Sequence, residues 1–141
     1  MPLTCHRDRT LIDWEALANL IERAPLGTVA PEMVQAKFQG SFAVSFVTDG
    51  ALLVGAGRAI SDGVTSSAIY DVVVLPEYQG RGIGRMVMDD LQAQLPKASV
   101  MLVAVPGKEA FYRKLGFRRL TSAMLRKEDP ASWIAAGYLE K

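Results

Sequence analysis

The sequence predicts an α+β domain with a mixed, mostly antiparallel central sheet flanked by helices. Two observations carry this. Apolar residues recur at helical spacing near the front, in strand-like runs through the middle, and at helical spacing again from Ile83. The middle runs are joined by short turns, which suits antiparallel neighbours, whereas the following strand–helix–strand order suits one parallel crossover. At 141 residues the chain reads as a single domain, 1–141, long enough to bury most of the surface its unfolded form would expose.

Taken in order, Leu3 to His6 has the weak signal of a short first strand. Asp13 to Ala24 reads as a helix, with Asp13 as N-cap and Trp14, Leu17, Leu20 and Ile21 as its apolar stripe. Pro25 and Gly27 stop it. Pro31 opens a second helix with Met33, Val34 and Phe38 on its apolar side and Gly40 at its end. Phe42 to Val47 is rich in β-branched and aromatic residues, and Thr48-Asp49-Gly50 turns the chain into a return strand, Leu52 to Ile60. Asp62-Gly63 makes the next turn, into a strand from Ser67 to Leu75. Ile83, Val87, Met88, Leu91 and Leu95 then mark one face of a helix that ends near Pro96. Ser99 to Val105 is a further apolar strand, Glu109 to Leu115 a short helix closed by Gly116, and Phe117 to Arg126 a last strand. The tail from Glu128 shows no readable packing.

Composition narrows the class. Half the residues are hydrophobic and 22% are charged, which is globular rather than disordered. A net charge of +1 lacks the basic excess of a nucleic-acid binder. Cys5 is the only cysteine, so no internal disulfide forms, and His6, the only histidine, has no second ligand at metal-binding spacing. No apolar run approaches the roughly 20 residues that span a bilayer, and the N-terminus lacks a signal's apolar region. The expectation is a cytoplasmic protein with no membrane partner and no metal.

The chemistry gathers in Ile69 to Gly84. Val72, Val73, Val74 and Leu75 make an apolar, mostly β-branched run that suits a strand covered on both faces. Pro76 ends its hydrogen-bonding ladder. Gly80, Gly82 and Gly84 then remove side chains where a helix begins, and free N–H groups at a helix start seat phosphate. A P-loop would need lysine and serine or threonine after its last glycine, but Arg85 and Met86 stand there. A dinucleotide fingerprint would need G-x-G-x-x-G and a later acid; the spacing here is G-x-G-x-G and Val100 to Val105 holds none. Close packing of strand on helix remains the plain alternative for the glycines.

Gln79-Gly80-Arg81-Gly82-Ile83-Gly84 resembles the acetyl-CoA-binding motif of the GNAT superfamily of N-acetyltransferases, Gln/Arg-x-x-Gly-x-Gly/Ala. Downstream, Phe111-Tyr112-Arg113-Lys114-Leu115-Gly116-Phe117 resembles a later helix of the same superfamily. The resemblance implies a GNAT-like acyl-CoA fold and transfer of acetyl from acetyl-CoA, a cosubstrate, to a primary amine by direct attack in a ternary complex. It implies that Gln79, Gly80, Arg81, Gly82, Ile83 and Gly84 seat the pyrophosphate, with Arg81 and Arg85 adding charge-assisted hydrogen bonds. Val72, Val73 and Val74 would pair their backbone with pantetheine, and an N–H near Val73 would hold the oxyanion.

Tyr112 matches the tyrosine that protonates the leaving thiolate in many relatives; by spacing alone it reads instead as a half-buried aromatic on a short amphipathic helix beside Phe111. Asp71 is either the base that receives the amine's proton or a strand-end carboxylate holding a turn or an arginine. Some relatives carry glutamate just before it, where this chain has Tyr70. Lys108, Arg113 and Lys114 are candidates for the ribose 3′-phosphate. Short insertions favour a small-molecule amine over a peptide amine as acceptor, and relatives commonly form homodimers. A catalytically silent acyl-CoA-binding sensor or interaction module of the same fold is the alternative function.

Overall fold

A continuous apolar run can bury both faces of a strand only where something packs on each face, and that condition organises this chain. The computed structural model describes residues 2–24 and 27–141, so the expected stop at Pro25 lies outside the described residues. The chain falls into two units, one running to Leu102 and the other from Val103 to Lys141.

The first unit is built on a five-stranded sheet in sequential order: β1 (Leu3–His6), β2 (Ala43–Asp49), β3 (Leu52–Ser61), β4 (Ser66–Val74) and β5 (Ser99–Leu102). The first three pairings are antiparallel and β4 with β5 is parallel, as the short turns and the single crossover require. Ala43 through Val47 are all buried, so β2 is covered on both faces.

Three helices provide the cover. In α1 (Trp14–Arg23) the Asp13 carboxylate accepts from the N–H groups of Glu15 and Ala16, and Leu17, Leu20 and Ile21 are buried. In α2 (Pro31–Gln39) Val34 and Phe38 are buried, but Met33 is 58% exposed and leaves the expected apolar side. Phe38 stacks on Phe46 of β2 at 5.8 Å. Arg9, on a 3-10 turn after β1, donates to the carbonyls of Phe38, Gln39 and Ser41 and so satisfies acceptors left open at the end of α2.

The sheet's other face carries α3 (Ile83–Gln94), whose Ile83, Val87, Met88 and Leu91 are buried, followed by buried Leu95. A Cβ on Gly55 would lie 2.5 Å from Ile83, and one on Gly57 would lie 2.7 Å from Val87. The glycines of β3 are what let α3 lie this close.

In the second unit α4 (Glu109–Lys114) and α5 (Ala131–Ala135) end alike, on a glycine at positive φ: Gly116 at 92° and Gly137 at 89°. The expected strand from Phe117 to Arg126 does not form. Leu120, Met124 and Leu125 are exposed there, and no ladder partner runs beside them among the described residues. Strand-forming residues need a neighbouring edge to become a strand. The strand expected from Ser99 to Val105 likewise stops at Leu102, and Phe42 lies just outside β2.

Candidate active site

The site begins with a break in regularity in β4. Its pairing with β5 runs from Ser66↔Ser99 to Ile69↔Leu102 and ends, while β4 continues to Val74. Immediately beyond, Ala56 pairs with Val73 and Arg58 with Tyr70, so Asp71 and Val72 together stand against Gly57 alone. This is a β-bulge, and Asp71 takes φ +56° there. Bulging rotates the strand, and here it coincides with the end of the parallel ladder. Among the described residues, Tyr70 to Val74 thus has a strand partner on the β3 side only.

The exposed backbone of that segment follows from alternation. Leu75 donates its N–H to Val54 in β3, and Val73 turns its carbonyl the same way, its oxygen 3.5 Å from where a Gly55 Cβ would stand. Val72 and Val74 therefore present their peptide groups away from β3. On that side the Gln79 side-chain amide donates to the Val74 carbonyl at 3.3 Å.

The bulge also settles where Asp71 points. Arg58 Nε donates to Asp71 Oδ2 at 2.7 Å, and its guanidinium carbon lies 5.2 Å from the Tyr70 ring centre. Asp71 and Tyr70 consequently share the sheet face of Arg58, although they are adjacent in a strand. Arg58 Nη1 also donates to Ser41 Oγ at 3.4 Å. Arg58 escaped the sequence reading; a cation inside the apolar run Leu52 to Ile60 was the available signal, because a half-buried charge requires a partner.

After β4, a 3-10 turn over Pro76–Tyr78 leads into the glycine loop. Gly80 and Gly82 both sit at positive φ, 82° and 80°, with nothing within 4 Å of where their Cβ atoms would be. Their need is conformational: the loop turns through the left-handed region and leaves open space above it. Gly82 is the N-cap of α3 and has no side-chain cap. The first helical bond runs from Met86 N–H to the Gly82 carbonyl at 3.0 Å, so the N–H groups of Ile83, Gly84 and Arg85 have no acceptor within the helix. This end of a 12-residue helix has the free donors and the dipole that favour an anion.

Side chains brace the loop from below. Tyr78 donates its hydroxyl to Asp49 Oδ2 at 2.6 Å, which raises the Tyr78 pKa, and Arg81 stacks over the Tyr78 ring at 4.6 Å. Glu77 pairs with Arg23 and its pKa is lowered, by a backbone N–H first and Arg23 second. Arg85 pairs with Asp89 one turn on, with both side chains exposed.

Tyr112 belongs to the second unit. Phe117 N–H donates to the Tyr112 carbonyl and Gly116 N–H to that of Arg113, both at 3.1 Å, a closure that fixes the last turn of α4. The Tyr112 ring is half-buried, 5.0 Å from Phe111 and 6.1 Å from Phe117. Burial, followed by the charge of Tyr138, raises its pKa above the ordinary value of 10.0. Lys108, Arg113 and Lys114 are exposed on the same short element. His6 is occupied elsewhere, its Nδ1 accepting from Asp8 N–H and its ring 5.5 Å from Phe46.

A mostly antiparallel sheet with one interrupted parallel edge, followed by a glycine-rich loop that opens a helix, defines an α+β class in which strand end and helix start face the same open space. The chain belongs to the GNAT acetyltransferase family: residues 14–128 match the family model described as an acetyltransferase (GNAT) domain. Over 68 residues it is 47% identical to an uncharacterized N-acetyltransferase (ycf52) of Porphyra purpurea, covering 46% of this chain and 39% of that protein. Over 67 residues it is 45% identical to a chloroplastic serotonin N-acetyltransferase 2 of Oryza sativa subsp. japonica, covering 45% and 34%. The matched segment is thus well under half the length of each relative. Among solved structures, a probable acetyltransferase of unknown function from Staphylococcus aureus superposes with a TM-score of 0.81 at 23% identity, covering 91% of this chain and all of that one. The ribosomal-protein-S18-alanine N-acetyltransferase of Escherichia coli gives 0.73 at 20%, covering 89% and 82%. These two likenesses establish the fold. Among the described residues, no helix is long and apolar enough to cross a membrane.

Proposed function

We propose that the protein is an acetyl-CoA-dependent N-acetyltransferase acting on a small-molecule primary amine. The observation that carries this reading is the succession of an unpaired β4 segment and a glycine loop with free helix N–H groups. Pantetheine, a chain of amides, would add to β4 at Val72 and Val74 as a strand does. The pyrophosphate would take the N–H groups at the start of α3, with Arg81 and Arg85 alongside. The rice relative's printed name, a serotonin acetyltransferase, supports a small amine as acceptor.

In the reaction the neutral amine nitrogen attacks the thioester carbonyl, a C–N bond forms and the C–S bond breaks. Of the two protons lost from the ammonium, one leaves to solvent or a base and the other is matched by protonation of the thiolate. We assign that donation to Tyr112, the tyrosine that matches the superfamily's later helix, whose hydroxyl carries its proton at neutral pH as any tyrosine does. Tyr112→Phe is expected to lower kcat by about 10²-fold or more, the usual scale of general acid catalysis. The basic limb of the wild-type rate profile should fall above about 10, because the group must keep its proton to act. An unchanged rate in Tyr112→Phe removes the assignment.

The test of the function is release of free thiol from acetyl-CoA in the presence of an amine panel. Release that depends on the amine supports the enzyme. Tight coenzyme A binding with no release for any amine supports the second reading, a silent acyl-CoA-binding module, which the commitment of Asp71 to Arg58 favours.

A further inference from the structure

The sheet face that carries α1 and α2 is not covered to its end. Along β3 the residues on that face are Val54, Ala56, Arg58 and Ile60; the first two are fully buried, while Ile60 is 51% exposed. Ile60 pairs with Ala68 of β4 and Ala68 with Met101 of β5, so three adjacent strands present a single row. Met101 is 43% exposed, and Tyr70, in the next row beside Arg58, is 41% exposed. Phe42, 48% exposed, places its ring 3.4 Å from where a Cβ on Gly63 would stand, at the turn beside Ile60. Directly opposed residues on one face stand about 5 Å apart, so Ile60 and Met101 flank the small Ala68 from either side, and Tyr70 lies one diagonal from Ile60.

The charges around this surface are committed. Arg58 is held by Asp71 and by the Tyr70 ring. Asp62, at the far end, accepts from the N–H groups of Val64, Thr65 and Ser66. Asp71 Oδ1 is the one carboxylate oxygen bordering the surface with no protein partner among the described residues. It stands at the bulge, where β4 loses its second strand partner.

Exposed apolar area of this kind, rimmed by polar groups, marks a binding surface. We infer that Phe42, Ile60, Tyr70 and Met101 form the floor for an acceptor that carries a single ammonium on an uncharged aromatic or aliphatic body, with Asp71 Oδ1 receiving the ammonium. The inference rests on the acetyltransferase reading and specifies its acceptor. A polyamine would set its second charge against apolar carbons and beside Arg58, losing hydration with no carboxylate to replace it. A body without charge loses only water from its own apolar surface.

The test uses the full chain with 2-phenylethylamine, putrescine and an N-terminal peptide amine as probes. It measures both acetylation and direct binding to protein saturated with coenzyme A. The expected result is a kcat/KM for 2-phenylethylamine at least tenfold above that for putrescine or the peptide. Ile60→Thr, which keeps a β-branched side chain, and Met101→Gln should each raise KM for 2-phenylethylamine several-fold and leave coenzyme A affinity unchanged. Equal or better use of putrescine, or an unchanged KM in both variants, overturns the inference. So does a dimer that Ile60→Asp dissociates, because a second copy would then cover the face. If coenzyme A binds and no amine is acetylated, the enzyme reading fails; binding of 2-phenylethylamine lost in Ile60→Thr would still uphold the floor, and absence of binding would end it.

Discussion

The two halves of β4 each bury an apolar side chain but differ in their strand partners. Ser66 to Ile69 lies between β3 and β5 with a ladder on each side, whereas Tyr70 to Val74 keeps β3 alone. Nothing in the apolar character of Ile69 or Val73 distinguishes them, and both are buried. What separates them is that the parallel ladder ends at Ile69 and a bulge at Asp71 follows, where one extra residue turns two adjacent side chains onto one face. The lesson is that a strand can free its backbone on one side by losing a neighbour, while its side chains go on serving the core.

This contrast is best broken at its strongest point. Ile69→Ala removes a fully packed side chain from the doubly paired half and should destabilise the fold by about 2–5 kcal/mol. Urea unfolding would register that loss, and the folded fraction should still bind coenzyme A with native affinity. A large fall in affinity would show that the two halves are not separable.

Gly82→Ala addresses the loop that follows the singly paired half. A Cβ there meets no neighbour, so the cost is the left-handed backbone, about 1–2 kcal/mol. Coenzyme A affinity, measured by calorimetry, should fall roughly 5- to 30-fold. A fall in thermal stability with unchanged affinity would count against the loop as the phosphate seat.

The smallest effect belongs to the turn that leads into the paired half. Backbone N–H groups of Ser66, Val64 and Thr65 hold the Asp62 carboxylate and lower its pKa from 3.8 to about 2. Because the folded value lies below the unfolded one, its stabilisation is present above about pH 4 and is lost as pH falls towards about 2. Asp62→Ala should lower the urea midpoint slightly at neutral pH and flatten its decline across that acid window. An unchanged acid slope would assign the decline to other carboxylates.

Much of the first unit was legible because each signal was local. The Asp13 cap, Pro31 at a helix start and the stripe from Ile83 to Leu95 each depend on residues within a turn or two, and each is where the spacing placed it. Met33 misled because only packing decides which edge of an apolar stripe is covered. The segment 117–126 misled for a related reason: strand propensity describes a residue's fit to a neighbour, and here no neighbour runs beside it among the described residues. Arg9 and Arg58 were invisible as partners, since their acceptors lie far away in sequence, at Phe38 and Asp71 among others.

By itself the sequence determined where the loop before α3 turns through the left-handed region, because glycine alone adopts it without cost and glycine is written in the chain at residues 80 and 82. It also determined that α3 would bury one face, because helical spacing is fixed by the backbone. Only the tertiary structure decided that Asp71 is held by Arg58, that Tyr70 shares its face, and that the sheet remains bare around Ile60. Those facts depend on strand register and on one inserted residue, which pair positions that no local pattern connects.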